Sequence, residues 1–198
     1  ERTEWNKERY YRRLVAGQPR QQALAAARLA ELGGQAQLVR ALHSGSEEVR
    51  GAASEALWRL WLKSAGEAVS QLVLQADEAA EKKRYDEALR ILDQVVENYP
   101  DFAEGWNRRA IIHWQTQRYR RSIKDWQRAV ALNPYHFGAW HGLALCQVHL
   151  GNLLDARWSL QAVLQINPHD EHARQFLRAC DELLQRLQPS ADRMMEQA

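Results

Sequence analysis

Across the second half of the chain, small residues recur in two columns, Ala76, Ala110 and Ala144, then Ala88, Ser122 and Ala156. Large apolar residues keep step with them, as Leu72, Trp106 and Trp140 and again as Leu92, Trp126 and Leu160. Pro100, Pro134 and Pro168 mark the same interval, each 34 positions from the next. Two antiparallel helices approach closely only where both present a methyl group or less, and bulky neighbours fill the space beside that contact. The pattern therefore predicts three helical hairpins, over 69–102, 103–136 and 137–170. Tyr85, Tyr119 and Leu153 each open a second helix after a short polar turn, and each proline stops one. A lone hairpin leaves an apolar face bare, so the array needs a cap. Residues 171–187, with Phe176, Leu177, Ala179, Cys180, Leu183 and Leu184 at helical spacing, supply it. The tail, 189–198, has little periodicity.

Upstream the interval changes. Ala25, Leu29 and Leu32 reappear as Ala53, Leu57 and Leu60, an offset of 28, and a first helix is expected from Thr3 to Val15. Only 10 Gly and 5 Pro occur in 198 residues, and good helix formers dominate, which predicts an all-α chain. With 45% apolar and 26% charged residues the composition is that of a water-soluble globular protein. No run approaches the roughly 18 apolar residues of a membrane span, and the start of the chain is too polar for a signal peptide. The compartment is not legible, although two Cys are too few for a disulfide framework and favour a reducing one, such as cytoplasm or an organelle interior.

The proline-delimited 34-residue pattern over 69–170 resembles the tetratricopeptide (TPR) repeat. The string V-R-G-A-A-S-E-A-L-W-R-L, preceded by L-V-R-A-L-H-S-G-S-E-E, resembles a short HEAT repeat, covering about residues 18–64. Together these resemblances imply a right-handed α-solenoid of antiparallel hairpins, HEAT-like over 1–66 and TPR-like over 67–188 with its capping helix. They imply about ten helices joined near Ser64 to Gly66. They also imply a concave groove lined by Val73 and Asp77 from the first repeat, Asn107, Arg108, Ile111 and Trp114 from the second, and His141, Leu145, Val148 and His149 from the third. This wall is unusually apolar, with Trp114 as its expected central anchor for an apolar or amphipathic peptide. TPR proteins that clamp a chaperone's C-terminal carboxylate do so with Lys, Asn and Arg. At those places this chain has Val73, Asp77, Gly138 and Gly142, which argues against that ligand.

Net charge is only +2, so electrostatic binding has to be local. Residues 69–102 hold four basic and eight acidic side chains, residues 103–134 seven basic and two acidic. Arg118, Arg120, Arg121, Lys124 and Arg128 form a basic stripe on a second helix. It reads first as a solvated face partly neutralised by Asp125 and the acidic first repeat, and alternatively as a surface for RNA or an acidic partner. Scattered His give no metal-ligand spacing, and no cofactor motif appears. Cys146 and Cys180, one interval apart, are expected as free thiols. Trp58 and Trp61, three places apart, cannot share one core stripe, so one is expected to be exposed. Without a phosphate loop, nucleophile elbow or paired carboxylates in a cleft, an enzyme is not expected. The predicted function is a non-enzymatic adaptor or assembly scaffold, the alternative to both binding roles being a structural subunit buried in a large complex.

Overall fold

A computed structural model of the chain describes residues 2–187, which form eleven α-helices and, among those residues, no strand. The tail at 189–198 lies outside the described residues. The repeats appear as three hairpins: α5 (Glu67–Glu81) with α6 (Tyr85–Asn98), α7 (Ala103–Gln115) with α8 (Tyr119–Leu132), and α9 (Phe137–His149) with α10 (Leu153–Ile166). Each second helix packs on the first helix of the next hairpin, and α11 (Glu171–Leu187) closes the end against α10. Both small columns are buried, so the predicted crossing points are real contacts.

Two devices fix the 34-residue interval. The turn inside each hairpin passes through a left-handed residue, Lys83 (φ 57°), Gln117 (φ 58°) or Gly151 (φ 77°). The next amide then reaches back over the helix end: Arg84 N–H to Ala79 O, Arg118 N–H to His113 O and Asn152 N–H to Gln147 O, each 2.8 Å. That bond satisfies a carbonyl the helix leaves unpaired. Between hairpins the proline carbonyl is read by the following helix. Trp106 Nε1 donates to Pro100 O and Trp140 Nε1 to Pro134 O, both at 2.9 Å, and Arg174 Nε takes the same place on Pro168 O at 3.1 Å. The bulky column thus also pins each inter-repeat turn.

Four helices precede the array: α1 (Arg2–Ala16), α2 (Pro19–Glu31), α3 (Gln35–Ala41) and α4 (Glu47–Lys63). The residues of the 28-residue offset face one another, since α2 packs on α4 and Ala25, Leu29, Ala53 and Leu57 are buried. Gly33 (φ 66°) turns α2 into α3 with the same reach-back bond, Gly34 N–H to Leu29 O at 2.7 Å. Ser46 caps α4 by accepting from Val49 N–H. The junction is more than an end-to-end join near residue 66, because α4 packs on α7 as well as α5 and its side chains reach the start of α9.

Candidate protein-binding groove

The first helices α5, α7 and α9 form the inner wall where a groove was expected, and α4 covers one end of it. Trp61, buried, stacks on the His136 ring at 4.4 Å and 20° and donates Nε1 to Gln35 Oε1 at 2.6 Å. Trp58, half-buried, stands edge-on to Trp61, His136 and Phe137 at 5.2 to 5.4 Å. Neither indole is left as the exposed residue expected from their spacing; the two serve different faces of one helix, core and seam. The Trp58 ring lies over Gly138, and Trp126 lies over Gly142, so that a Cβ at either glycine would overlap an indole. The two glycines at clamp places are thus sites of close approach.

Beneath this seam runs a buried polar network. His136 caps α9 by accepting the Ala139 N–H at its Nδ1, so its Nε2 carries the proton and donates to Glu104 Oε2 at 2.7 Å. Glu104 also accepts from Arg108 Nε at 2.6 Å and Asn107 Nδ2 at 3.2 Å. Arg108 continues to Asp77 at 3.1 Å, and Asn107 Oδ1 accepts from Trp126 Nε1 at 3.0 Å. Burial pushes the Glu104 carboxyl up, but His136 and Arg108 outweigh it and hold the group below its ordinary value. Burial raises the Asp77 carboxyl against the pull of Arg108.

Several expected groove residues are therefore engaged internally. Val73 (0% exposed) belongs to the core cluster that includes Ile112, and Asn107 (1% exposed) belongs to the network with Glu104 and Trp126. Asp77 and Arg108 are ion-paired to each other across repeats. The open part of the wall holds Ile111, Trp114, His141, Leu145, Val148 and His149, the first five half-buried and His149 exposed. Trp114 lies against Tyr119 and His149 at 5.0 and 5.7 Å, and Tyr119 meets His149 at 4.0 Å. Across the wall, His141 meets Phe176 of α11 at 6.0 Å.

Sequence reasoning missed Glu104, His136 and Gln35. A signal existed for Glu104: of the two acidic residues in 103–134, both are buried, Glu104 on Arg108 and Asp125 on Arg109. Asp125 is thus taken by Arg109 rather than neutralising the stripe. The stripe itself divides. Arg118, Arg121 and Lys124 line a cleft toward α6, Arg120 borders a cavity of about 710 Å³ with Tyr119 and Leu150, and Arg128 leans on Asp101 at 3.4 Å.

Cys146 and Cys180 are buried free thiols, and burial raises them, Cys146 to about 11, which leaves them as unreactive core residues. Among the described residues no helix is long and apolar enough to cross a membrane, and no group of three or more His, Cys, Asp and Glu is placed to hold a metal ion.

A tetratricopeptide repeat family model matches residues 73–119 and 110–171. The chain belongs to the TPR family. A TPR repeat-containing protein of Rhizobium etli is 35% identical over 127 residues, 64% of this chain and 62% of that protein. Human serine/threonine-protein phosphatase 5 is 24% identical over 58% of this chain, which spans 23% of that enzyme. Among solved structures, the first TPR domain of Spaghetti (RPAP3), bound to the HSP90 peptide SRMEEVD, superposes with a TM-score of 0.57 at 22% identity, over 59% of this chain and 92% of that domain. At that identity the likeness shows the fold, an all-helical TPR solenoid. TPR domains are protein-interaction modules, and the likeness to the phosphatase concerns TPR repeats alone. The family match starts at Val73 and does not extend to the HEAT-like segment.

Proposed function

We propose that the chain is a non-enzymatic adaptor that binds an apolar or amphipathic helix of a protein partner on the open part of its inner wall. The observation that carries this reading is α4 itself. It packs on α5 and α7 and inserts its indoles at the N-terminal end of α9, so it acts as a built-in example of what the wall accepts. In this reading the HEAT-like segment 1–66 is the resident occupant of one end, and the TPR domain 67–188 offers the other. Ile111, Trp114, Leu145 and Val148, with Phe176 on the far side, would take the apolar face of the incoming helix, and His141 and His149 its polar edge.

A carboxylate tail such as the one bound by the Spaghetti domain fits less well. Val73 is buried, Asp77 would repel it, and Gly138 and Gly142 lie under indoles and offer no cation.

A library of amphipathic helical peptides displayed against the full chain tests the reading. Bound peptides should shift the methyl resonances of Ile111, Leu145 and Val148, respond little to salt, and lose about tenfold or more in affinity on Trp114→Ala. The melting temperature of that variant should stay within a few degrees of the parent. Peptides that bind but map to another face, or that ignore Trp114→Ala, overturn it.

A further inference from the structure

The outer side of the array carries a cleft that the groove does not use. It lies between α6 and α8 and has a volume of about 510 Å³. At its base Arg109 of α7 spans the two helices. Its Nη1 donates to Asp93 Oδ1 at 2.8 Å, while Nε and Nη2 donate to the two oxygens of Asp125 at 2.7 and 2.8 Å. Asp125 is matched at both oxygens and Asp93, 60% exposed, at one, so the acidic side of the lining is partly neutralised by Arg109 and Asp86 is the carboxylate it leaves unengaged.

The rim is cationic. Arg90 comes from α6, and Arg118, Arg121 and Lys124 from the start of α8. All four are exposed, and Arg118 reaches only Asp86, at 3.9 Å, a carboxylate that is itself 93% exposed. Among the described residues Arg90, Arg121 and Lys124 form no ion pair within 4.0 Å of a carboxylate. A second observation comes from His113. Its side chain is only 7% exposed and lines the same cleft, its Nδ1 has no hydrogen-bond partner, and its Nε2 stands 3.7 Å from Asp125. A buried, unpartnered ring nitrogen is a cost that structural side chains seldom carry without a use.

We propose that this cleft is a binding site for a phosphate monoester. Four exposed cations converging on one cleft carry more charge than a single carboxylate, with one negative charge on two oxygens, can match. A monoester brings three acceptor oxygens and close to two negative charges. An extended RNA backbone fits worse. Asp86 on the rim and Asp101 beside Arg128 interrupt the cationic path, and Arg120 lines only the neighbouring pocket with Leu150, which Arg118 and Arg121 border as well. A single compact dianion between α6 and α8 meets Arg121 and Lys124 while Asp93 and Asp125 stay paired with Arg109, and Asp86, held only at 3.9 Å by Arg118, is the one lining carboxylate it has to pass.

The test is an NMR titration of the full chain with inorganic phosphate, O-phosphoserine, a phosphoserine-containing peptide with its unphosphorylated form, acetate, and a short oligouridylate. Phosphate and the monoesters should shift the His113, Arg121 and Lys124 resonances, and the combined variant Arg121→Ala and Lys124→Ala should weaken them about tenfold or more without a change in melting temperature. Trp114→Ala should leave this binding untouched, which separates it from the groove. Tighter binding of the phosphopeptide than of free phosphoserine assigns the source to a modified protein, and equal binding to a small phosphorylated molecule. The site is overturned if acetate reproduces the shifts, if the double variant retains them, or if oligouridylate binds more tightly than every monoester with a steep salt dependence.

Discussion

Glu104 is the side chain on which the seam turns. It is fully buried, and it accepts from α7 itself and from the cap of α9, so one carboxylate ties two repeats together beneath Trp61. Glu104→Gln should cost about 3 kcal/mol, because the fully buried carboxylate gives up its charge-assisted bonds to His136 and Arg108, while Arg108, 27% exposed, keeps Asp77 and some water. The cost is read from urea midpoints. The pH dependence has a definite sign. The folded carboxyl lies below its ordinary value of 4.5, so its contribution is present above that value and is lost as pH falls through the depressed one. The Gln variant should lack this acid limb. His113 adds an earlier one. Burial lowers the imidazole below 6.5, so the unfolded chain takes up its proton first, and stability declines as pH falls from 6.5 toward the folded value. His113→Gln should flatten that decline while leaving the Glu104 limb in place, and persistence of the decline in the variant refutes the assignment.

At the scale of the element, α4 shows what a helix pattern can and cannot disclose. The three hairpins were legible because local chemistry sets their interval: a left-handed turn residue, a proline and two small columns recur at fixed offsets. The path of α4 was not, because a helix with apolar residues on two faces does not say which distant surface receives the second. A trace did exist in the repeat columns. Where the second repeat has Glu104 and Arg108 and the first Ser70 and Leu74, the third has Gly138 and Gly142; Gly138 lies under Trp58 of α4, whereas Gly142 makes room for Trp126 of α8. Two alanine substitutions in this system should have opposite signs. Gly51 sits on an exposed turn of α4 with nothing within 4 Å of a built Cβ, so Gly51→Ala should stabilise by up to about 1 kcal/mol through helix propensity. Gly138→Ala forces the Trp58 ring off α9 and should destabilise by about 1–3 kcal/mol. Thermal unfolding of the two variants checks both, and equal effects would mean that the Trp58 contact does not constrain the seam. The groove expected from register changes at two places: Val73 joins a core cluster that includes Ile112 of the next repeat, and Asn107 is taken up by Glu104 and Trp126, pairings that no repeat column discloses.

For the whole molecule the seam decides whether the first four helices and the array behave as one body or two. Solenoids normally couple only nearest neighbours, so a HEAT-like unit touching α5 alone would be free to unfold early. Here α4 also packs on α7, and Trp58 and Trp61 reach His136 and Phe137 at the head of α9, some 75 residues further along the chain. Such contacts bypass the neighbour and join the N-terminal unit to the middle and last repeats directly. Losing them would uncover two indoles and the Glu104 and His136 pair together, so partial opening is costly. The chain should therefore melt in a single transition, with far-ultraviolet circular dichroism and tryptophan fluorescence coincident. Replacing both Trp58 and Trp61 by Ala removes the contacts with α9 and leaves α4 only its smaller contacts with α5 and α7, so the transition should divide, the N-terminal helices melting first. A single transition in that double variant, lowered but undivided, would mean that the contacts with α5 and α7 carry the coupling and that the seam serves only to close the groove.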